Sequence, residues 1–172
     1  SVMNGFRTEL VDRILGINGH LIIYSKNERT IPNYTKIINK ILDTPNVVAV
    51  TAHLEGQALA KNKNSISGVI IRGSKWSDLA AKKILWKSLN QSTISNFKDK
   101  QNIIMGYRLG QKLNLKVGDY ISLISPNGME TALGILPVNQ NFKVGGFFDM
   151  GMYEHDNNFI FIPWKKAELF LS

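Results

Sequence analysis

Glu154-His155-Asp156 is the densest cluster of titratable side chains in the chain, and it has the residue types of a metal or acid–base site. A metal site would need further ligands at compatible spacing. His20 and His53, the other two of three histidines, are isolated in sequence and predict no convergence. Asn157-Asn158 follows the cluster, so the sequence predicts a solvated turn there. Ser95-Asn96-Phe97-Lys98 fits the SxxK pattern of acyl-serine enzymes, but the companion SDN and KTG patterns are absent. No GxxxxGK[ST] phosphate loop and no HExxH occurs. Asn33-Tyr34-Thr35 and Asn90-Gln91-Ser92 fit the glycosylation pattern, which by itself carries no function. With no cysteine, disulfides, thiol nucleophiles and cysteine metal sites are excluded. The residues therefore predict no catalytic group, no metal and no cofactor. A binding or coupling module is the default reading.

Composition sets the frame for that module. The chain has 172 residues, 44% hydrophobic and 20% charged, which suits one globular domain. The 21 basic and 13 acidic residues give a formal charge of +8. The lysines are scattered singly or in pairs such as Lys82-Lys83 and Lys165-Lys166, with no basic run and no RNA-stacking motif. The charge thus predicts no nucleic-acid partner, while an anionic membrane surface nearby would benefit from it. No segment reaches the ~18 apolar residues of a transmembrane helix, and no signal-peptide pattern is present. The chain begins and ends within helical patterns, which predicts that it is part of a longer protein.

Periodicity supplies the elements. Val2, Phe6, Leu10 and Ile14 form one helical stripe, with Gly16 as its stop. Residues 20–25 (HLIIYS) read as a strand. Pro32 starts a second helix whose buried face is Ile37, Ile38, Ile41 and Leu42. Residues 47–60 are β-rich, with a turn or bulge at Gly56, and residues 67–73 are a strong strand. Ser77 is the expected N-cap of a helix over 78–89. Residues 90–102 read as a polar loop. A short strand at 103–106, a helix at 107–113, strands at 120–124, 142–148 and 158–162, and a final helix opened by Pro163 complete the chain. Helices interspersed with strands that cluster in the second half predict an α+β class.

One segment stands apart. Residues 125–141 (SPNGMETALGILPVNQN) join two strands by a connection beyond the ~12–15 residues usual for a structureless loop. Its centre is apolar: Ala132, Leu133, Ile135, Leu136, Pro137 and Val138. On residues alone two readings stand evenly. The centre folds back on the core, or it is the tip of a protruding hairpin turned at Gly134, which would be a partner site.

Three stretches resemble one family. SVMNGFRTELVDRILGINGHLII resembles the junction of the first transmembrane helix with the periplasmic domain in LolC/LolE proteins, the membrane subunits of a lipoprotein-releasing ABC transporter of Gram-negative bacteria. IIMGYRLGQKLNLKVGDYISLISP is similar to the region after that family's inserted subdomain, and TALGILPVNQNFKVGGFFDMGMYEHDNNFIFIP is similar as well. The resemblance implies a MacB-like periplasmic core domain with an inserted subdomain and a protruding β-hairpin, the hook, at residues 126–141. It implies that residues 1–15 extend the first transmembrane helix, in a fragment (residues 1–172) of an inner-membrane protein facing the periplasm. It also implies an ATPase subunit LolD, a second LolC/LolE-type subunit, a lipoprotein substrate and the carrier LolA. Thr131, Gly134 and Pro137 match the hook's Thr-x-x-Gly-x-x-Pro skeleton, which makes Thr131, Ala132, Leu133, Gly134, Ile135, Leu136 and Pro137 the carrier-binding residues. Asn139 and Gln140 fall at the adjoining pad. Val2, Met3 and Phe6 fall where a lipoprotein's acyl chains would pass. Ala132 stands where the family often has proline, and Gln140 lacks the charge expected of the pad. LolC and a hybrid LolC/LolE subunit both fit. The alternative is a MacB- or FtsX-like permease domain with another periplasmic partner, against which the hook-like segment discriminates.

Overall fold

The computed structural model describes residues 2–26, 30–131 and 134–171. These form two units, residues 1–52 and residues 53–172.

The first unit opens with helix α1 (Val2–Asn18). The helix runs through the expected stop at Gly16 and ends two residues later. There Gly19 takes a left-handed φ of 67° and donates its N–H to the Leu15 carbonyl at 3.1 Å. The strand expected at residues 20–25 does not form. Leu21, Ile22, Ile23 and Tyr24 are exposed and join no ladder. High β-propensity yields a strand only where a pairing edge is offered. Helix α2 (Tyr34–Leu42) starts near Pro32 as expected, but its apolar face is not buried. Ile38 and Ile41 are half-buried, whereas Ile37 and Leu42 are exposed. Two helices offer too little chain to cover one another.

The second unit is a closed six-stranded barrel. Its elements are β1 (Leu54–Asn62), β2 (Ser65–Ser74), α3 (Trp76–Ala80), α4 (Lys83–Ser88), α5 (Gln91–Lys98), β3 (Ile103–Gly106), α6 (Tyr107–Lys112), β4 (Tyr120–Thr131), β5 (Gly134–Phe148), α7 (Tyr153–Asn158), β6 (Phe159–Pro163) and α8 (Trp164–Leu171). The strand order is β1-β2-β6-β3-β5-β4, closed back on β1. The β2–β6 and β3–β5 pairs are parallel and the others antiparallel. Inward-facing residues alternate along each strand, as a barrel requires. Ala58 and Ala60, Ile103 and Met105, Ile121 and Leu123, Phe142 and Val144, and Ile160 and Ile162 meet in one core. Phe170 of α8 closes it, edge-on to Phe142 at 5.5 Å between ring centres. Gly56 makes neither turn nor bulge. It lies in regular β1 pairing, under the Leu171 side chain.

Three expectations change here. The helix expected over 78–89 is broken between α3 and α4, and Lys75, not Ser77, takes the N-cap position. The polar stretch 90–102 contains α5. The Asn90 side chain accepts the Thr93 N–H at 2.8 Å, and Ile94 and Phe97 are buried. Asn96 is buried too, because its amide donates to the Gly145 carbonyl at 2.8 Å. The solvated turn expected at Glu154-His155-Asp156 is instead helix α7, with His155 and Asp156 buried. The Asp156 carboxylate accepts the N–H groups of Met150 and Met152 at 2.9 and 3.0 Å and so ties down the loop before α7. Buried backbone donors need such partners.

The seam where α7 meets the end of β3 is the tightest in the barrel wall. A Cβ on Gly106 would overlap the Asp156 backbone carbonyl. A backbone group cannot swing aside as a side-chain end can. Gly106→Ala is therefore expected to destabilise the chain by roughly 2–3 kcal/mol in denaturant melts. A loss under about 0.5 kcal/mol would show that the seam yields.

Candidate functional site

Strands β4 and β5 make the hairpin that the sequence singles out. β4 pairs with β1 only through Ser122, Leu123 and Ile124. β5 pairs with β3 only from Val144 onward. Between these limits, among the described residues, each strand pairs with the other and with no third strand. From Ser125 to Thr131, at about 3.3 Å per residue, β4 runs roughly 15–20 Å past its last contact with β1. Over the described residues 125–131 and 134–141 the connection is a two-stranded hairpin.

A break in register divides the hairpin into a base and a tip. Ser125 faces Val138, and the next pair is Met129 with Leu136, so residues 126–128 stand against Pro137 alone. Pro126 and Pro137 both lack an N–H, which makes this point unsuited to a continuous ladder. Irregularities of this kind bend and twist the ribbon. The base is anchored: Ser125 is buried, and Val138 packs against the core. At the tip, pairing resumes through Met129–Leu136, Glu130–Ile135 and Thr131–Gly134. Gly134 has φ 112°, with open space where a Cβ would point. Leu136 is 55% exposed, and Pro137 is exposed.

The sequence-derived site residues separate accordingly. Thr131, Gly134, Ile135, Leu136 and Pro137 are brought together at the hairpin's end. Ala132 and Leu133 lie outside the described residues. Asn139 and Gln140 sit on the anchored side of the break, facing Ile124 and Leu123. Asn139 is exposed, and its side-chain oxygen accepts from the Ser122 hydroxyl. In the first unit, Met3 and Phe6 are exposed at 76% and 65%, with Leu10 and Val11 exposed on the same helix. Val2 is in α1. The break at residues 126–128 was missed by sequence reasoning, although two prolines in one hairpin could have signalled it.

A second convergence of titratable groups lies in the barrel wall. Arg72 is buried, and both its Nε and Nη2 donate to Glu55 Oε2, at 3.1 and 2.6 Å. Its guanidinium lies 5.0 Å from the centre of the Phe159 ring, on which His155 stacks at 4.6 Å. Neither His155 ring nitrogen has a hydrogen-bond partner. Burial first, then the charge of Arg72, pushes the pKa of His155 below the ordinary histidine value, and the same causes act on His53. No nucleophile lies in this set, and a neutral, unpartnered imidazole against an aromatic ring is packing. Among the described residues no group of His, Asp and Glu could hold a metal ion. No described helix is long and apolar enough to cross a membrane.

No family model matches the chain. It is 29% identical over 163 residues to the lipoprotein-releasing system transmembrane protein LolC of Neisseria meningitidis serogroup B, covering 92% of this chain and 38% of that protein. The LolC of Xylella fastidiosa (strain Temecula1) is 24% identical over 169 residues, 98% of this chain and 40% of its own length. The lipoprotein-releasing system transmembrane protein LolE of Haemophilus influenzae is 23% identical over 177 residues, 100% of this chain and 42% of its own. The chain therefore spans about 40% of the length of the curated relatives it matches. Among solved structures, the extracellular domain of the noncanonic ABC-type transporter YknZ from Gram-positive bacteria superposes with a TM-score of 0.53 at 14% identity. That match covers 84% of this chain and 68% of that one, and it shows a shared fold. The LolC/LolE resemblance carried by the sequence motifs is thus borne out over nearly the whole chain.

Two measurements check the geometry. Leu136→Asp should leave stability within about 0.5 kcal/mol of the parent, whereas Val138→Asp, which buries a charge at the anchored base, should lose roughly 2 kcal/mol or more. Equal losses would mean that tip and base are one packed unit. The histidines give a pH dependence. Their charged form is disfavoured in the folded state, so the unfolded chain takes up protons first. Their contribution is full above the ordinary value of about 6.5 and is lost as pH falls below it. Asp78 and Asp156, pushed upward by burial, work against this slope. Replacing His155 with Gln isolates its part: Tm between about pH 7 and pH 5 should fall less in the variant than in the parent. An unchanged slope would remove His155 from the account.

Proposed function

We propose that this chain is the periplasmic part of a LolC-type membrane subunit of a lipoprotein-releasing ABC transporter, and that its hairpin docks the lipoprotein carrier LolA. The single observation that carries the reading is a β4–β5 hairpin whose strand pairing continues past the last pairs with β1 and β3, with Leu136 and Pro137 exposed. Similarity to LolC and LolE proteins supports the transporter. In this reading the subunit is not an enzyme. An ATPase subunit, LolD, acts from the cytoplasmic side of the inner membrane, and a second LolC/LolE-type subunit completes the complex. Nucleotide then reaches the hairpin only by biasing two conformational states.

The chemistry of docking follows from the tip. A carrier that shields acyl chains must present an apolar cavity. The tip residues Leu133, Ile135 and Leu136, on the skeleton of Thr131, Ala132, Gly134 and Pro137, offer apolar side chains to it. Full burial of one such side chain is worth about 1.5–3 kcal/mol, so two or three of them supply micromolar binding after association costs. Asn139 and Gln140 would contribute neutral hydrogen bonds at the pad rather than charge. In α1, the exposed Met3 and Phe6, together with Val2, would meet the lipoprotein's acyl chains near the membrane.

Titration of the chain with its cognate carrier tests this reading. The double variant Leu133→Asp/Leu136→Asp should lose carrier binding while its Tm stays near the parent's. Pro137→Gly should weaken binding by only a few-fold, through a looser hairpin before docking. Carrier binding that survives the double variant would sink the hairpin as the docking element. A MacB- or FtsX-like permease domain with another partner would then be the better reading.

A further inference from the structure

Lysines that are scattered in sequence converge in the fold. A cavity of about 520 Å³ opens in the barrel unit where the ends of β2 and β6 meet the C-terminal end of α5. Lys75, Lys98, Lys165 and Lys166 line it, together with the indoles of Trp76 and Trp164. No carboxylate lines it. The Lys75 ammonium lies 5.3 Å from the centre of the Trp164 ring, so the indole holds that charge at the cavity wall.

Lys165 and Lys166 also break a local rule. They occupy the first turn of α8, which has no acidic residue, and so place positive charge at the positive end of the helix dipole. Such an arrangement is unfavourable in the empty chain and favourable once an anion is present. Local rules broken without compensation mark functional sites. The volume falls in the range of small-molecule sites, about 300–1,000 Å³, well above what a lone inorganic anion fills.

We propose that this cavity binds a phosphate-bearing anion of headgroup size, its phosphate held by Lys98, Lys165 and Lys166 and its uncharged part against Trp76 and Trp164. The ligand is either a dissolved phosphoester or the headgroup of an anionic phospholipid. The site lies apart from the β4–β5 hairpin in sequence and does not rest on the carrier-docking reading.

The test uses tryptophan fluorescence of the intact chain, titrated with inorganic pyrophosphate and, separately, with phosphatidylglycerol or phosphatidylcholine vesicles. A saturable change with pyrophosphate supports a dissolved phosphoester. A change with phosphatidylglycerol but not phosphatidylcholine vesicles supports the headgroup. The exposed pair Lys98→Gln/Lys165→Gln should weaken whichever response is seen by roughly tenfold, and this variant should melt no lower than the parent. The charge-matched control Lys61→Gln/Lys63→Gln, at the β1–β2 turn, should bind within about twofold of the parent. No saturable response to either probe up to about 1 mM overturns the proposal. So does an equal loss in the control, which would reduce the effect to net charge.

Discussion

The pairing of β1 with β4 closes the barrel, and much else in the second unit depends on how short that pairing is. It consists of Leu59 with Ile124, Ala60 with Leu123 and Lys61 with Ser122. Closure removes the free edges that make open sheets prone to association. It also sets where sheet pairing stops. Past Ser125 on one strand and before Val144 on the other, neither strand has a third strand paired beside it among the described residues. A ribbon of this kind is only marginally stable alone and owes its order to its base. Here Ser125, Val138 and Phe142 hold that base against the core.

The register break then separates two mechanical parts. Below it the hairpin belongs to the barrel and resists change. Above it Leu136 and Pro137 are exposed. Two prolines at the break limit the conformations open to the free tip, which lowers the ordering cost of docking. The energetics follow the same division. Substitutions at the base act on folding, and under the proposed function substitutions at the tip act on recognition. The tight seam of Gly106 against Asp156, on another wall of the barrel, belongs wholly to the first kind.

The barrel strands were legible in the sequence because alternation and short apolar runs report burial directly. The hairpin was legible as an anomaly: an apolar centre in an overlong connection has few physical explanations. What could not be read depended on partners distant in sequence. Asn96 looked like a loop residue because its acceptor, the Gly145 carbonyl, lies far along the chain. Asp156 looked solvated because its two donors, Met150 and Met152, meet it only once the loop before α7 is formed. Residues 20–25 show the converse, a strong strand pattern with no edge to pair with. The lysine-lined cavity was invisible for the same reason, since its lysines come from three separate segments.

The central claim is that the hairpin tip, and not another face of the barrel, receives the carrier. Amide hydrogen exchange on the chain with and without saturating carrier tests it most directly. Exchange reads local opening amide by amide and needs no substitution. The account predicts new protection at the tip amides between Met129 and Leu136, with the barrel strands unchanged. Protection confined to the barrel face or to the first unit, with tip exchange as fast as in the free chain, would contradict it.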